Sequence, residues 1–271
     1  MNTSLRWLVV GAGAIGTYLG ASLQLHGQQV TFLEQAATAA EIRQRGLRLQ
    51  LERNKSYNIA HPCLAVSMEE ALQGTTFDAV ILAIKSFDTT SFLEKAMPHQ
   101  QYLPVLICFQ NGVENEARLA SSLGADRVIP GTVTSAVARR AVGDIIAERQ
   151  RGLGMSSLHP HSIRFAQVFN QAGLNTRLYH RPADMKWSKM LTNLVGNATS
   201  AILDLTPAQV FADPKLFKLE IRQLREALAV MQSFEIRAVN LPGVPVRLLA
   251  LAARHFPYSI AQPLMRRTVG R

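Results

Sequence analysis

Lys189, Asn193 and Asn197 recur at steps of four through the otherwise apolar stretch "MKWSKMLTNLVGNATSAIL". Four residues make about 400° of α-helical turn, so on one helix the three side chains form a single polar stripe, with Met190, Leu191, Leu194, Val195 and Ile202 on the other faces. An ammonium can stabilise and protonate a developing oxyanion. Asparagine amides can orient a carboxylate or hydroxyl without adding charge. Buried groups of this kind need partners, so the stripe must meet either a neighbouring helix or a bound polar ligand.

A second constellation stands near the start. "WLVVGAGAIGTYLG" carries Gly-x-Gly-x-x-Gly, formed by Gly11, Ala12, Gly13, Ala14, Ile15 and Gly16, directly after an apolar strand and opening a helix. In that context Gly11 makes the tight turn, Gly13 admits a pyrophosphate close to the backbone, and Gly16 lets the helix pack on the sheet. Glu34, eighteen positions after Gly16, falls at the end of the second strand, where a carboxylate bonds ribose hydroxyls and repels a 2′-phosphate. With Gln35 beside it, this argues for NAD over NADP, although Arg43 and Arg45 stand near enough in sequence to reach a phosphate.

The elements around these residues follow from hydrophobic periodicity. Apolar runs "LRWLVV", "QVTFLE", "DAVILAI" (78–84) and "PVLICF" (104–109) read as strands, separated by helices over "AIGTYLGASLQLHG", "AATAAEIRQRGL" and roughly 87–97 and 113–123. Apolar strands alternating with helices imply a parallel sheet covered on both faces. Between 129 and 180 further strands are expected at "GTVTSAVA", "DIIAE" and "NTRLYH". After 180 the strands stop. Pro182 suits the first turn of the stripe-bearing helix, Thr206, Pro207 and Gln209 form a capping box, Asp213 and Pro214 open a long helix, and "VPVRLLALAARHF" makes one more. The expected fold class is therefore α/β: a Rossmann-type doubly wound domain (1–178) followed by an all-helical domain (179–271) that carries the polar stripe.

Composition narrows the class of function. The 271 residues, 48% hydrophobic and 18% charged, suit a globular chain with a sizeable core. Cys63 and Cys108 have neither disulfide nor metal-site spacing, which fits a reducing cytoplasm, and no metal ligand set is expected. Arg6 ahead of an apolar run imitates a signal peptide, but the glycine loop explains that run better. No uninterrupted apolar stretch is long enough to span a bilayer. The net charge of +10 is spread over small basic groups without interleaved aromatics, so solvated faces and an anionic small-molecule ligand are expected, not a nucleic acid.

"GAGAIG", "VILAIKSFDT", "FQNGVENE", "GTVTSAV" and "KWSKMLTNLVGNATSAI", in this order and spacing, give the chain a resemblance to the 2-dehydropantoate 2-reductase (ketopantoate reductase) family from residue 5 to about 240. The resemblance implies reduction of 2-dehydropantoate to pantoate, in pantothenate biosynthesis, with a nicotinamide cofactor that in the family is usually NADPH. It implies Lys189 as the catalytic general acid, Asn193 and Asn197 as substrate-binding residues, Asn111 beside nicotinamide and substrate, and Lys85 as a cofactor contact. Gly196, read as lying inside the helix, would permit close approach of substrate. For Asn111–Gly112 a plain turn is a sufficient alternative. The family also carries a further segment with a serine and a Ser/Thr-Glu pair, which does not follow "PLMRRTVGR", so the helical domain is expected to be incomplete. Three readings stay open: the 2-dehydropantoate reductase, a reductase of another branched 2-oxo acid, and a non-catalytic NAD(P)-binding protein. A homodimer is compatible with each.

Overall fold

The computed structural model describes residues 4–52, 55–258 and 262. Twelve strands and eleven α-helices are found among them: β1 (Arg6–Val10), α1 (Ala14–Leu25), β2 (Gln29–Leu33), α2 (Ala36–Arg45), β3 (Leu47–Glu52), β4 (Lys55–Ile59), β5 (Cys63–Ala65), α3 (Met68–Leu72), β6 (Ala79–Leu82), α4 (Thr89–Ala96), β7 (Leu106–Cys108), α5 (Asn115–Leu123), β8 (Val128–Val133), β9 (Ala136–Ala141), β10 (Asp144–Arg149), β11 (Leu153–Ser156), α6 (Ser162–Gln171), β12 (Thr176–Tyr179), α7 (Pro182–Leu194), α8 (Asn197–Leu203), α9 (Pro207–Ala212), α10 (Pro214–Ser233) and α11 (Val246–His255). They form two compact units, Met1–Pro182 and Ala183–Arg271.

In the first unit an eight-stranded sheet runs in the order β12-β11-β8-β7-β6-β1-β2-β5, parallel throughout except where β11 meets β8. The runs "WLVV" and "AVIL" are apolar at every position because both faces are covered. Trp7, Val9, Ile81 and Ile107 point into one hydrophobic core, shared with α1 and α6, while Leu8, Val10, Val80 and Leu82 point into another, shared with α4 and α5. Trp7 packs edge-on against Phe165 and at a tilt against Phe169 of α6, with ring centroids 5.2 Å from each.

A second sheet, β4-β3-β10-β9, covers α1. Its Leu47, Leu49, Ile145 and Ala147 enter the same core as Leu19 and Leu23 of α1. This sheet was not expected from the sequence, although "LRLQLE" alternates with the period of two that marks a half-buried strand. Between 129 and 180 the reading needs three further corrections. "GTVTSAVA" is not one strand: Thr134 and Ser135 separate β8, in the large sheet, from β9, in the small one. "LGMS" is a strand, and "SIRFAQVFNQ" is a helix whose Phe165, Ala166 and Phe169 are buried on one face.

The second unit is helical, its only described β-pairing being an isolated bridge between Leu241 and Val244. Local chemistry sets several of its boundaries as the sequence predicts. α7 begins at Pro182, and Asp213 caps α10 by accepting from the N–H groups of Lys215 and Leu216 at 2.7 and 3.0 Å. Thr206 and Gln209 form the reciprocal capping box of α9. We expect Thr206→Ala to cost about 1 kcal/mol, read as a lower midpoint in urea. An unchanged midpoint would show that α9 is held by its buried Val210 and Phe211 alone. The pattern of a long amphipathic helix is complete in α10, where Phe217, Ile221, Leu224, Leu228 and Met231 are buried at helical spacing. The segment "PLMRRTVGR" lies outside the described residues.

Candidate active site

The glycine loop sits where the physics of an open α/β sheet puts a ligand. Val10 is level with Leu33 on one side and Leu82 on the other, and Leu82 is level with Cys108, so β7, β6, β1 and β2 end in one row. The chain leaves β1 towards β2 on one side and returns to β6 on the other, making the β1/β6 boundary the topological switch point. Gly11, Glu34, Lys85 and Asn111 all follow these strand ends.

The three glycines have three different reasons. Gly11 has φ +93°, and a Cβ there would lie 2.8 Å from Ile84 Cγ2. A Cβ on Gly16 would fall 1.7 Å from the carbonyl oxygen of Gly11, which only a glycine permits. A Cβ on Gly13 would meet nothing within 4 Å, so the backbone there is open to a close-approaching group. That combination, a tight turn, a close helix–strand contact and an open approach at the start of the twelve-residue α1, fits a dinucleotide pyrophosphate.

Glu34 is half-buried beside the loop. Its carboxylate accepts from the Ala12 N–H at 2.6 Å and from the Gln35 N–H at 2.9 Å, which holds the side chain over the glycine turn while each oxygen keeps a lone pair for a further donor. Next to it lies a cleft of about 170 Å³, lined by Gly11, Glu34, Gln35, Val66, Met68, Phe92 and Lys95 among others. Its mixture of apolar side chains with the polar groups of Ser67, Asp88, Ser91 and Glu34 suits an adenosine.

Gln110 was not singled out in the sequence, yet it organises the other end of this edge. Buried behind Asn111, its Nε2 donates to the carbonyl oxygens of Ile84 and Lys85, each at 3.2 Å, and to Thr89 Oγ1 at 3.0 Å. The loop after β7 is thereby tied to the loop after β6. Lys85 and Asn111 are both exposed on those loops, and the Asn111 carbonyl accepts from Asn115 Nδ2 at 2.7 Å. A glutamine directly after the apolar run "PVLICF", ahead of the Asn-Gly turn, was the signal that could have found it.

In the second unit the stripe is not continuous. α7 ends at Leu194, Gly196 takes the left-handed conformation with φ +73° and ψ −12°, and Asn197 starts α8. The expectation of one helix through Lys189, Asn193 and Asn197, with Gly196 inside it, is therefore corrected: Lys189 and Asn193 share α7, and Asn197 belongs to the next helix. The reason is Glu220, which stands on the buried stripe of α10 with 1% of its surface exposed. Its carboxylate accepts from the Gly196 N–H at 2.7 Å and from the hydroxyl of Thr199, so the turn between the helices has a dedicated acceptor.

Lys189 and Asn193 are half-buried and Asn197 is exposed. α7 is anchored on its buried side by Asp184, which accepts from the Arg237 N–H, and by Ser188, whose hydroxyl accepts from the Val239 N–H, both at 2.9 Å. Thr192 Oγ1 donates to the Lys189 carbonyl at 2.7 Å, closing the last turn before the break. No cluster of three or more metal-ligating side chains occurs among the described residues. No described helix is long and apolar enough to cross a membrane.

A glycine-cradled switch point in a doubly wound sheet, followed by a helical unit, defines a dinucleotide-binding protein of the Rossmann type. Residues 7–158 match the family described as ketopantoate reductase PanE/ApbA, and residues 183–259 match its C-terminal family, so the chain belongs to the ketopantoate reductases. Among curated relatives, the 2-dehydropantoate 2-reductase of Pyrococcus horikoshii is 26% identical over 82% of this chain and 72% of its own length. That of Halobacterium salinarum is 27% identical over 84% of this chain and 76% of its own. The fold is shared with a crystal structure of a ketopantoate reductase from Ralstonia eutropha, with a TM-score of 0.79 and 24% identity over 97% of this chain and 86% of that one. It is also shared with D-mandelate dehydrogenase bound to NADH and anilino(oxo)acetate, with a TM-score of 0.77 and 18% identity over 97% and 86%.

Proposed function

We propose that this protein reduces the ketone of 2-dehydropantoate to the alcohol of pantoate. The observation that carries the reading is the glycine cradle of the first unit joined, in one chain, to a family match that continues through the Lys189-bearing helix. A reduced nicotinamide, when bound, supplies the hydride to the keto carbon. Lys189 stabilises the negative charge that develops on the keto oxygen and gives it a proton. Asn193 and Asn197 orient the substrate by donating amide hydrogens to its oxygens, and Asn111 steadies the reacting end. Gly11 to Gly16 hold the pyrophosphate, Lys85 adds a positive charge beside it, and Glu34 accepts from the adenosine ribose. Residues 1–178 thus serve the cofactor, with Asn111 also reaching the substrate, and 179–271 serve the substrate.

The test is oxidation of NADH and of NADPH by the protein, followed by absorbance with 2-dehydropantoate. Substrate-dependent turnover supports the reading, and cofactor binding without turnover on any 2-oxo acid would replace it with a non-catalytic NAD(P)-binding role. Faster turnover of another branched 2-oxo acid would transfer the assignment to that substrate. This second reading is favoured by the fold shared with a mandelate dehydrogenase, which uses the same architecture on a different acid.

Glu34 makes NADH the preferred reductant. Its carboxylate repels a 2′-phosphate, and the neighbouring position holds Gln35 where an arginine would pair with one. Glu34→Gln is expected to shift the ratio of kcat/KM for NADH over NADPH by about tenfold towards NADPH, the scale of one charge-assisted hydrogen bond. A wild-type protein that already prefers NADPH would remove Glu34 as the discriminator.

A further inference from the structure

Glu220 is a charged residue on the apolar stripe of α10, between Phe217 and Ile221, both of which are buried. A carboxylate in such a place is costly unless its oxygens are satisfied. Here they are satisfied by groups of one turn only: the backbone N–H of Gly196 and the hydroxyl of Thr199, itself buried. The turn they hold is the one that separates Asn197 from Lys189 and Asn193. In an unbroken helix these three positions would be fixed by the helix itself. With Gly196 left-handed, the direction of α8 relative to α7 depends on what holds the break, and at that break the donors of Gly196 and Thr199 converge on Glu220.

We infer that Glu220 is a positioning residue: it sets where Asn197 stands relative to Lys189 by clamping the α7–α8 break. The inference rests on the proposed reduction only for its kinetic consequence, since the clamp itself is a feature of the helical unit. Its chemistry is specific. Glutamine has the same size and can still accept from Gly196 N–H through Oε1 while donating to Thr199 Oγ1 through Nε2, so Glu220→Gln keeps both contacts in weaker, neutral form. Thr199→Val removes the hydroxyl at nearly constant shape and leaves the carboxylate one donor short. Glu220→Leu removes both contacts.

The order of effect is therefore Glu220→Gln, then Thr199→Val, then Glu220→Leu. Two measurements separate this role from simple stabilisation. Hydrogen exchange across the α7–α8 break and α8 reports the clamp directly, without any substrate. Steady-state kinetics with 2-dehydropantoate report its consequence. We expect amide exchange in α8 to quicken at least about fivefold in Thr199→Val while α1 exchanges as in the wild type. In the same variant the KM for the oxo acid should rise about fivefold or more, kcat should change less than twofold, and the KM for the nicotinamide should not change. A lost substrate contact before the chemical step gives that split, and Glu220→Gln should fall between Thr199→Val and the wild type.

Unchanged exchange in α8 for both variants would overturn the clamp. Quickened exchange with an unchanged KM would leave Glu220 a structural residue and overturn its positioning role. If the wild-type protein turns over no 2-oxo acid, the reductase reading fails by itself, and the clamp is still decided by exchange. Should Glu220→Leu fail to fold, Thr199→Val and Glu220→Gln carry the test.

Discussion

Lys189→Ala is expected to lower kcat on the oxo acid by about 10²- to 10⁴-fold, the usual contribution of a positioned general acid, which corresponds to about 2.7–5.4 kcal/mol of barrier. The oxygen of the ketone gains an electron pair as hydride arrives at carbon, and its conjugate acid is an aliphatic alcohol, so an alkoxide left without a proton source is a high-energy product. An ammonium on α7 removes that difficulty. Alanine leaves water to do so, unpositioned. The lysine stands on a helix anchored from its other side through Asp184 and Ser188 to the backbone of Arg237 and Val239, which keeps α7 in place when the side chain is shortened. Loss should therefore appear in kcat, with the melting temperature nearly unchanged and the affinity for NADH, measured by fluorescence titration, within twofold of wild type. A kcat reduced by less than threefold would remove Lys189 as the proton donor.

The second large effect is expected at Gly16. A methyl group there must occupy space 1.7 Å from the carbonyl oxygen and 2.9 Å from the carbonyl carbon of Gly11. Neither side can yield cheaply: Gly11 donates its N–H to Leu33 at 3.0 Å and is itself set against Ile84, while Gly16 lies in a helix whose Leu19 and Leu23 are fully buried. Overpacking of backbone on backbone exceeds the usual side-chain case, so Gly16→Ala should cost about 3 kcal/mol or more. The melting temperature should then fall by roughly 6–12 °C for a unit of this size, with loss of stabilisation by added NADH. Gly13→Ala is the contrast. Its Cβ meets no protein atom within 4 Å, so the fold should melt as in the wild type while NADH binding weakens at least about tenfold. A scanning melt of both variants with and without NADH measures this, and equal melting of Gly16→Ala and wild type would refute the packing argument.

What was legible in the sequence is chemistry that acts over a few residues. The glycine spacing of 11–16 specifies the turn because backbone sterics are local, and the caps at Thr206 and Asp213 specify helix starts because a side chain satisfies an N–H two or three residues away. Likewise "WLVV" and "AVIL" declare strands buried on both faces, and with the alternating helices they place Glu34, Lys85 and Asn111 at one edge of the sheet.

The tertiary structure decided what depends on distant partners. β3 joins β10 across nearly a hundred residues of chain, a pairing that no local pattern encodes, and the small sheet exists because α1 presents apolar groups for it to cover. The same holds for the polar stripe. Helical periodicity alone puts Lys189, Asn193 and Asn197 on one line, but periodicity assumes that every N–H finds its carbonyl four residues back. At Gly196 the N–H is taken instead by Glu220, a residue twenty-four positions away, and that competing acceptor turns one expected helix into two.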